Sequence, residues 1–302
     1  MTNKTKKILA GLALGVIGAG TLTGCTSDIV FNQEDLNNAI NNVNTYLDTQ
    51  NGYSSEMAKN TLFGLLMKGL TESLEETSVQ INFSDKAYTT YGELSTRNEE
   101  FKYYYDKERG LTKIYASNTS QGSVSDDKLY QEITEIPNSD NYNVITYHSY
   151  TDLDNDEDHK YYVTQSNVTY NNIEKICGNS AGLPLCSVSD CYSFALGMLS
   201  GGTFDVDSID MNLSTDNYIM EKGDNNKLVF KCIFRNSIAE DGVTIFEFEF
   251  KNDELIRIGW ISASSLVGGY DEQSSTSIYE WTITRDIEDF SFDTNDFSEY
   301  EG

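Results

Sequence analysis

The chain has 302 residues and carries 48 acidic against 21 basic residues, a formal net charge of −27 at pH 7. Such a surface repels nucleic-acid phosphates and anionic lipid headgroups, so the composition excludes nucleic acid and electrostatic membrane adsorption. Twenty Tyr, fourteen Phe and two Pro favour strands over bundled helices. The composition therefore predicts a folded, β-rich and acidic protein.

The first 24 residues have the organisation of an export signal. Lys4, Lys6 and Lys7 precede an uncharged apolar run from Ile8 to Leu22. A helix of this length extends about 22 Å, less than the roughly 30 Å of hydrocarbon in a bilayer, so a permanent transmembrane helix is disfavoured. We expect residues 1–24 to direct export and to be removed.

The four residues Leu22-Thr23-Gly24-Cys25 resemble the lipobox of bacterial lipoproteins. The resemblance implies that the Cys25 sulfur receives a diacylglyceryl group, a palmitate-type fatty anchor, and that Cys25 becomes the mature N-terminus. Two acyl chains give stable anchoring where one gives marginal binding. The predicted location is the extracytoplasmic face of a bacterial cell membrane, lipid-anchored; the alternative is an ordinary secretory signal with a coincidental Cys.

Two helices are predicted before the first strand. Residues 25–53 form a tether and a helix that Asn32 and Asp35 can cap. The second helix follows Ser54 and carries a broad apolar stripe, made of Leu62, Phe63, Leu66, Met67, Leu70 and Leu74. The stripe must be buried, and we expect it to face a sheet.

From Val79 onward, apolar and polar residues alternate with a period of two. Charged and Asn-rich turn segments separate these runs at the spacing of an antiparallel meander. The alternation stops near Cys177, gives way to a short helix that Ser189 or Asp190 can cap, and resumes until Ile283. Several strands are therefore predicted on each side of a short central helix.

The predicted domains are residues 54–175 and 176–302, each a helix followed by antiparallel strands, with an acid-rich tail expected to be loose from Asp293. Residues 101–117 faintly resemble residues 246–264. Two duplicated halves are therefore an alternative to one large sheet.

The predicted fold class is α+β, a long curved antiparallel sheet, half-barrel-like, packed against a few helices. This architecture resembles the lipoprotein-carrier superfamily, half-barrel proteins that include lipid-binding lipoproteins of cell envelopes, over roughly residues 54–290 and without a shared motif. The resemblance implies a cavity between helix and sheet that holds an acyl chain or another apolar ligand. Its helical wall consists of Leu62, Phe63, Leu66, Met67 and Leu70.

Four aspartates alternate in one short segment, Asp152, Asp154, Asp156 and Asp158. Their spacing matches positions 1, 3, 5 and 7 of a calcium loop, but Glu157 replaces the Gly of position 6 and Val163 replaces the Glu of position 12. A solvated hairpin tip is the favoured interpretation, and weak calcium binding is the alternative.

Four cysteines follow the signal on the exported side, where disulfides persist, Cys177, Cys186, Cys191 and Cys232. Their pairing is open: the first three favour a local bridge, while the strand position of Cys232 is also consistent with a buried thiol. The spacings lack the short pairs of a zinc site, so disulfides or buried thiols are favoured over metal.

Neither a nucleophile elbow nor a phosphate-binding loop is present, and His148 and His159 are the two histidines of the chain. A hydrolase is therefore the weakest interpretation. The sequence predicts a non-enzymatic lipoprotein without a cofactor that binds an apolar or lipid-like ligand. The alternative is a structural or protein-interaction module of the cell surface with a solid core.

Overall fold

The computed structural model describes residues 55–73, 78–89, 92–121, 126–152, 157–173, 176, 178–180, 183–185, 187–199, 218–223, 225–235, 243–266 and 273–300. Their two α-helices are α1 (Ser55–Glu72) and α2 (Val188–Leu199). Their strands are β1 (Ser78–Thr89), β2 (Gly92–Asp106), β3 (Leu111–Gln121), β4 (Asp126–Glu135), β5 (Asn141–Asp152), β6 (Glu157–Thr169), β7 (Gly178–Ser180), β8 (Leu183–Leu185), β9 (Tyr218–Lys222), β10 (Lys227–Arg235), β11 (Val243–Lys251), β12 (Glu254–Leu266), β13 (Gln273–Arg285) and β14 (Ser298–Glu299). No helix among these residues is long and apolar enough to span a membrane.

Twelve of the strands form one long, open, curved sheet in the order β14-β6-β5-β4-β3-β2-β1-β13-β12-β11-β10-β9. Neighbours run antiparallel except β14, which pairs in parallel with Tyr161 and Tyr162 of β6. The α+β class with a curved antiparallel sheet is therefore confirmed. Pairing of β1 with β13 makes the sheet continuous across the predicted boundary at residue 175.

One face of the sheet, the helix face, carries the apolar residues of the alternating pattern. Ile81, Phe83 and Trp281 lie on it and are at most 2% exposed. The Trp281 ring contacts Phe83 at 4.9 Å between centroids and Phe194 of α2 at 4.7 Å. Each of these large apolar side chains contributes roughly 1.5–3 kcal/mol on burial, so the main core lies between this face and the helices.

Helix α1 is fixed to the sheet edge at its first residue. The Ser55 hydroxyl donates to the Tyr218 carbonyl and accepts the Tyr218 N–H, both at 2.9 Å. These bonds satisfy backbone groups of β9 and orient the apolar stripe of α1 towards the sheet.

The two helices pack closely at Gly69 of α1 and Tyr192 of α2. A methyl group built on Gly69 would overlap the Tyr192 ring. The Tyr192 hydroxyl accepts the Leu255 N–H at 3.0 Å and an Arg285 N–H at 3.2 Å. A glycine at this position therefore permits the contact that fixes α2 to β12 and β13.

The opposite face, the outer face, carries a buried ionic cluster on β11, β12 and β13. Arg257 is 5% exposed and donates to Glu280 and to Glu247, each at 2.6 Å. A shift in register would separate these partners and leave a buried charge uncompensated, which is strongly destabilising. The cluster therefore favours the observed register of β11, β12 and β13.

Residues 286–300 cross the outer face from β13 to β6 and are called the C-terminal segment below. Asp289 accepts a bond from Lys113 Nζ at 2.6 Å, and the Tyr300 N–H donates to the Tyr162 carbonyl at 3.0 Å. The expectation of a loose tail from Asp293 was wrong, because the aromatic residues of this segment pack on strand tyrosines.

Candidate functional site: a lysine-lined groove beneath the C-terminal segment

A row of tyrosines crosses the outer face. Tyr115, Tyr130, Tyr147 and Tyr162 are direct cross-strand partners on β3, β4, β5 and β6. Ring centroids of Tyr130 and Tyr147 are 5.9 Å apart, and those of Tyr147 and Tyr162 are 5.7 Å apart. Direct cross-strand aromatic pairs stabilise a sheet, so this tyrosine row forms a rigid floor.

The C-terminal segment covers the tyrosine row with phenylalanine rings. Phe292 stacks on Tyr130 at 5.0 Å between centroids, and Phe297 meets Tyr147 edge-on at 5.4 Å. Tyr130 is 2% exposed and donates its hydroxyl to Glu132 at 2.5 Å. Burial and the adjacent Glu132 raise the pKa of Tyr130, so its hydroxyl stays protonated.

A groove of about 450 Å³ lies between the C-terminal segment and the outer face. This volume falls within the range of small-molecule sites. Its aromatic lining includes Tyr115, Phe290 and Phe292, and its polar lining includes Lys102, Lys128, Ser149 and Lys160.

The lysines reach the groove because of strand register. Lys128 pairs directly with Ser149, and Ser149 pairs directly with Lys160. Lys128 precedes Tyr130 by two residues, and Lys160 precedes Tyr162 by two residues. Residues two apart in a strand share a face, so the lysine row and the tyrosine row lie side by side.

The three lysines of the groove differ in whether they form an ion pair. Lys102 pairs with Glu100 at 2.9 Å and lies over the Tyr115 ring at 5.4 Å. Within the described part of the chain, Lys128 and Lys160 have no carboxylate within 4.0 Å. Two ammonium groups therefore line the groove without a direct ion pair among these residues, and the carboxylates of Asp293 and Asp296 line the same groove.

The predicted ligand wall on α1 is part of the core. Leu62, Phe63, Leu66 and Leu70 are at most 6% exposed, and Met67 packs against the same cluster. The structure places these side chains against one another and the sheet. Their role in ligand binding stays a prediction.

Two of the four predicted disulfide candidates, Cys177 and Cys186, lie outside the described residues. Cys191 on α2 and Cys232 on β10 are both buried and are not bonded to each other. Burial raises the pKa of the Cys232 thiol well above its ordinary value. The pairing of the cysteines stays a prediction.

The aspartate-rich turn is described only at its ends. Asp152 ends β5, and Asp158 on β6 accepts a bond from the Thr151 hydroxyl at 2.9 Å. Asp154 and Asp156 lie outside the described residues, so calcium binding stays a prediction. No group of His, Cys, Asp or Glu that could hold a metal is found among the residues that the structure describes.

Cys25, the export signal, the tether and the first predicted helix also lie outside the described residues. The lipid modification and the cellular location accordingly remain predictions from the sequence.

Sequence analysis missed the groove. A signal existed in the Lys-x-Tyr spacing of Lys128-Tyr130 and Lys160-Tyr162, which places each pair on one strand face. Two pieces of information were lacking: the register that aligns β4 with β6, and the path of the C-terminal segment. Both depend on long-range pairing rather than on local periodicity.

Comparison with known proteins identifies no family. No family model matches the chain, and no curated protein matches it. A DUF1329 family protein from Desulfovibrio piger aligns over 78% of this chain and 95% of its own, with 9% identity and a TM-score of 0.22. A LolA superfamily protein from Nitrosomonas europaea aligns over 74% and 94%, with 9% identity and a TM-score of 0.18. At these TM-scores neither similarity supports an inference about function.

Proposed function

We propose that this chain is a non-enzymatic, lipid-anchored lipoprotein on the extracytoplasmic face of a bacterial membrane, where it binds an apolar or lipid-like ligand. The lipobox at residues 22–25 supports the anchor. The groove beneath the C-terminal segment supports the binding role, and its combination of aromatic walls with a few charged groups is the observation on which this role depends.

The groove is favoured over the helix–sheet interior as the ligand site. Leu62 and Leu66 of α1 are 0% exposed within a continuous core cluster. A ligand there would have to displace well-packed side chains, at a cost of several kcal/mol for the groups it separates. The groove already exists, so a ligand enters it without breaking the core.

Native mass spectrometry of the protein purified from its host tests the binding role. We expect a retained lipid-like mass in the wild type and its loss in Ser149→Trp, because an indole at Ser149 fills the groove. Thr164→Trp is the matched control, since Thr164 is exposed on β6 and does not line the groove. A folded wild-type protein that retains no lipid-like ligand and takes up none on incubation would overturn the proposal.

Metabolic labelling with a fatty acid tests the anchor. We expect label in the wild type, none in Cys25→Ser, and transfer of the variant from the membrane fraction to the soluble fraction. Cys232→Ser serves as the control and should keep the label, because its thiol lies in the core. Label that persists in Cys25→Ser would contradict the lipid modification.

A second candidate function is a protein-interaction module with a solid core. Its supporting observation is an exposed aromatic array on the helix face at the sheet edge, where Tyr150 is 38% and Tyr300 is 60% exposed. His148 stacks on Tyr161 at 4.8 Å and His159 on Tyr150 at 5.0 Å. An empty groove in native mass spectrometry would favour this second function.

A further inference from the structure

We propose that the groove recognises the anionic headgroup of an amphiphile, held by Lys128 and Lys160 on either side of Ser149. This inference rests on the proposed function and names the chemistry of its ligand: a phosphate or carboxylate group attached to an apolar chain.

The register places the three polar groups in one line. Lys128, Ser149 and Lys160 are successive cross-strand partners on β4, β5 and β6. Adjacent strands lie about 4.8 Å apart, so the two lysine Cα atoms are about 10 Å apart. Each lysine has a flexible four-carbon stem, so both ammonium groups can reach one anion above the Ser149 hydroxyl.

The charges of the groove favour an anion at this position. Lys102 is engaged by Glu100 and by the Tyr115 ring, and it forms a wall of the groove. Lys128 and Lys160 have no such carboxylate partner among the described residues. Because the whole molecule carries a net charge of −27, an anion is attracted only where lysines lie within contact distance.

Three acidic residues also line the groove, Glu100, Asp293 and Asp296. Glu100 is paired with Lys102. Asp293 accepts bonds from the backbone and side-chain N–H groups of Asn295, at 3.0 and 2.5 Å. Asp293 and Asp296 are both exposed to solvent, which screens their charge. Both lysines can donate charge-assisted hydrogen bonds to a phosphate or carboxylate, which are stronger than hydrogen bonds between neutral groups.

The apolar part of the ligand has a separate surface. Tyr115 and Phe292 line the groove, and their ring centroids lie 6.0 Å apart. The tyrosine row is two residues from the lysine row, about 7 Å along the strands, and Tyr115 is its member that lines the groove. A charged head at the lysines therefore places the attached chain against aromatic rings, which a free inorganic anion cannot exploit.

Isothermal titration calorimetry with three probes, each below its micelle-forming concentration, tests the inference: dodecyl phosphate, neutral dodecyl maltoside and inorganic phosphate. We expect dodecyl phosphate to bind the wild-type protein at least tenfold more tightly than either other probe. In the double variant Lys128→Gln/Lys160→Gln its affinity should fall at least tenfold. The matched control, Lys107→Gln/Lys251→Gln, removes two exposed lysines outside the groove and should change the affinity less than twofold.

The outcomes separate this inference from the proposed function. Equal binding of dodecyl phosphate and dodecyl maltoside, or an unchanged affinity in the groove variant, would overturn headgroup recognition and leave the binding role intact. Inorganic phosphate that binds as tightly as dodecyl phosphate would overturn the requirement for an apolar chain. Absence of binding by both chain-bearing probes, in protein whose circular dichroism shows it to be folded, would count against the proposed function itself.

Discussion

Asp85 is a buried carboxylate on the helix face of β1. It is 1% exposed, and both of its oxygens lack a hydrogen-bond partner among the described residues. Burial raises its pKa to about 7; the nearby Arg97 opposes this rise and Glu99 adds to it. Arg97 is the direct cross-strand partner of Asp85 but donates hydrogen bonds to Glu99 and Asn118 instead. The core therefore holds an acid that titrates near neutral pH.

Asp85 makes the stability of the protein depend on pH. The pKa in the folded state, about 7, exceeds the ordinary value of 3.8, so the folded state binds more protons between these values and stability falls as pH rises through this window. We expect Asp85→Asn to unfold like the wild type near pH 4 and to be more stable at pH 8, by at most about 4 kcal/mol. Urea unfolding at the two pH values measures the difference. Asp127→Asn, at an exposed position, is the matched control; a gain in this control equal to that of Asp85→Asn would contradict the role of burial.

Residue-level features were the least accessible from the sequence. The alternation of apolar and polar residues does not distinguish Asp85 from other polar residues of a strand. Its burial depends on the pairing of β1 with β2 and β13, which is long-range. The core positions Phe83 and Trp281, in contrast, follow from the period of two alone. Local periodicity thus indicates which apolar side chains are buried, and long-range strand pairing determines which polar side chains are buried with them.

The contact between α1 and α2 depends on Gly69. We expect Gly69→Ala to lower the free energy of unfolding by about 1–3 kcal/mol, because its methyl group overlaps the Tyr192 ring. Gly64→Ala in the same helix is the matched control: nothing lies within 4 Å of a Cβ built there. The free energy of unfolding of this control should rise by roughly 0.5–1 kcal/mol, because Ala has a higher helix propensity than Gly. Thermal or urea unfolding measures the stability of both variants. An equal effect of the two substitutions would contradict close packing of α1 against α2.

Elements with regular periodicity were predicted well. The apolar stripe of α1 predicted its burial, and alternation predicted the strands of the two meanders. The C-terminal segment was not predicted, because its stability comes from tertiary contacts of Phe290, Phe292 and Phe297 with the tyrosine row rather than from any repeat. An acidic segment that contains several phenylalanines is better interpreted as a segment packed on the sheet than as a solvated tail.

The continuous sheet predicts one cooperative unfolding transition. β1 lies between β2 and β13, so neither predicted half can lose its strands without exposing the other. Tryptophan fluorescence reports β12 and β13, which carry Trp260 and Trp281, while far-ultraviolet circular dichroism reports all strands. We expect the two signals to give the same urea midpoint. Separate midpoints would indicate independent halves and support the predicted division at residue 175.

The pairing of β1 with β13 also bears on when the protein can fold. The side chains of Asn82 and Thr282 are hydrogen-bonded at 3.4 Å although 200 positions separate them in the chain. High contact order of this kind slows folding, since loop closure precedes the stabilising contacts. During synthesis from the amino terminus, one edge of β1 stays unpaired until β13 has been made. We therefore expect refolding from urea to be slow, which stopped-flow tryptophan fluorescence measures.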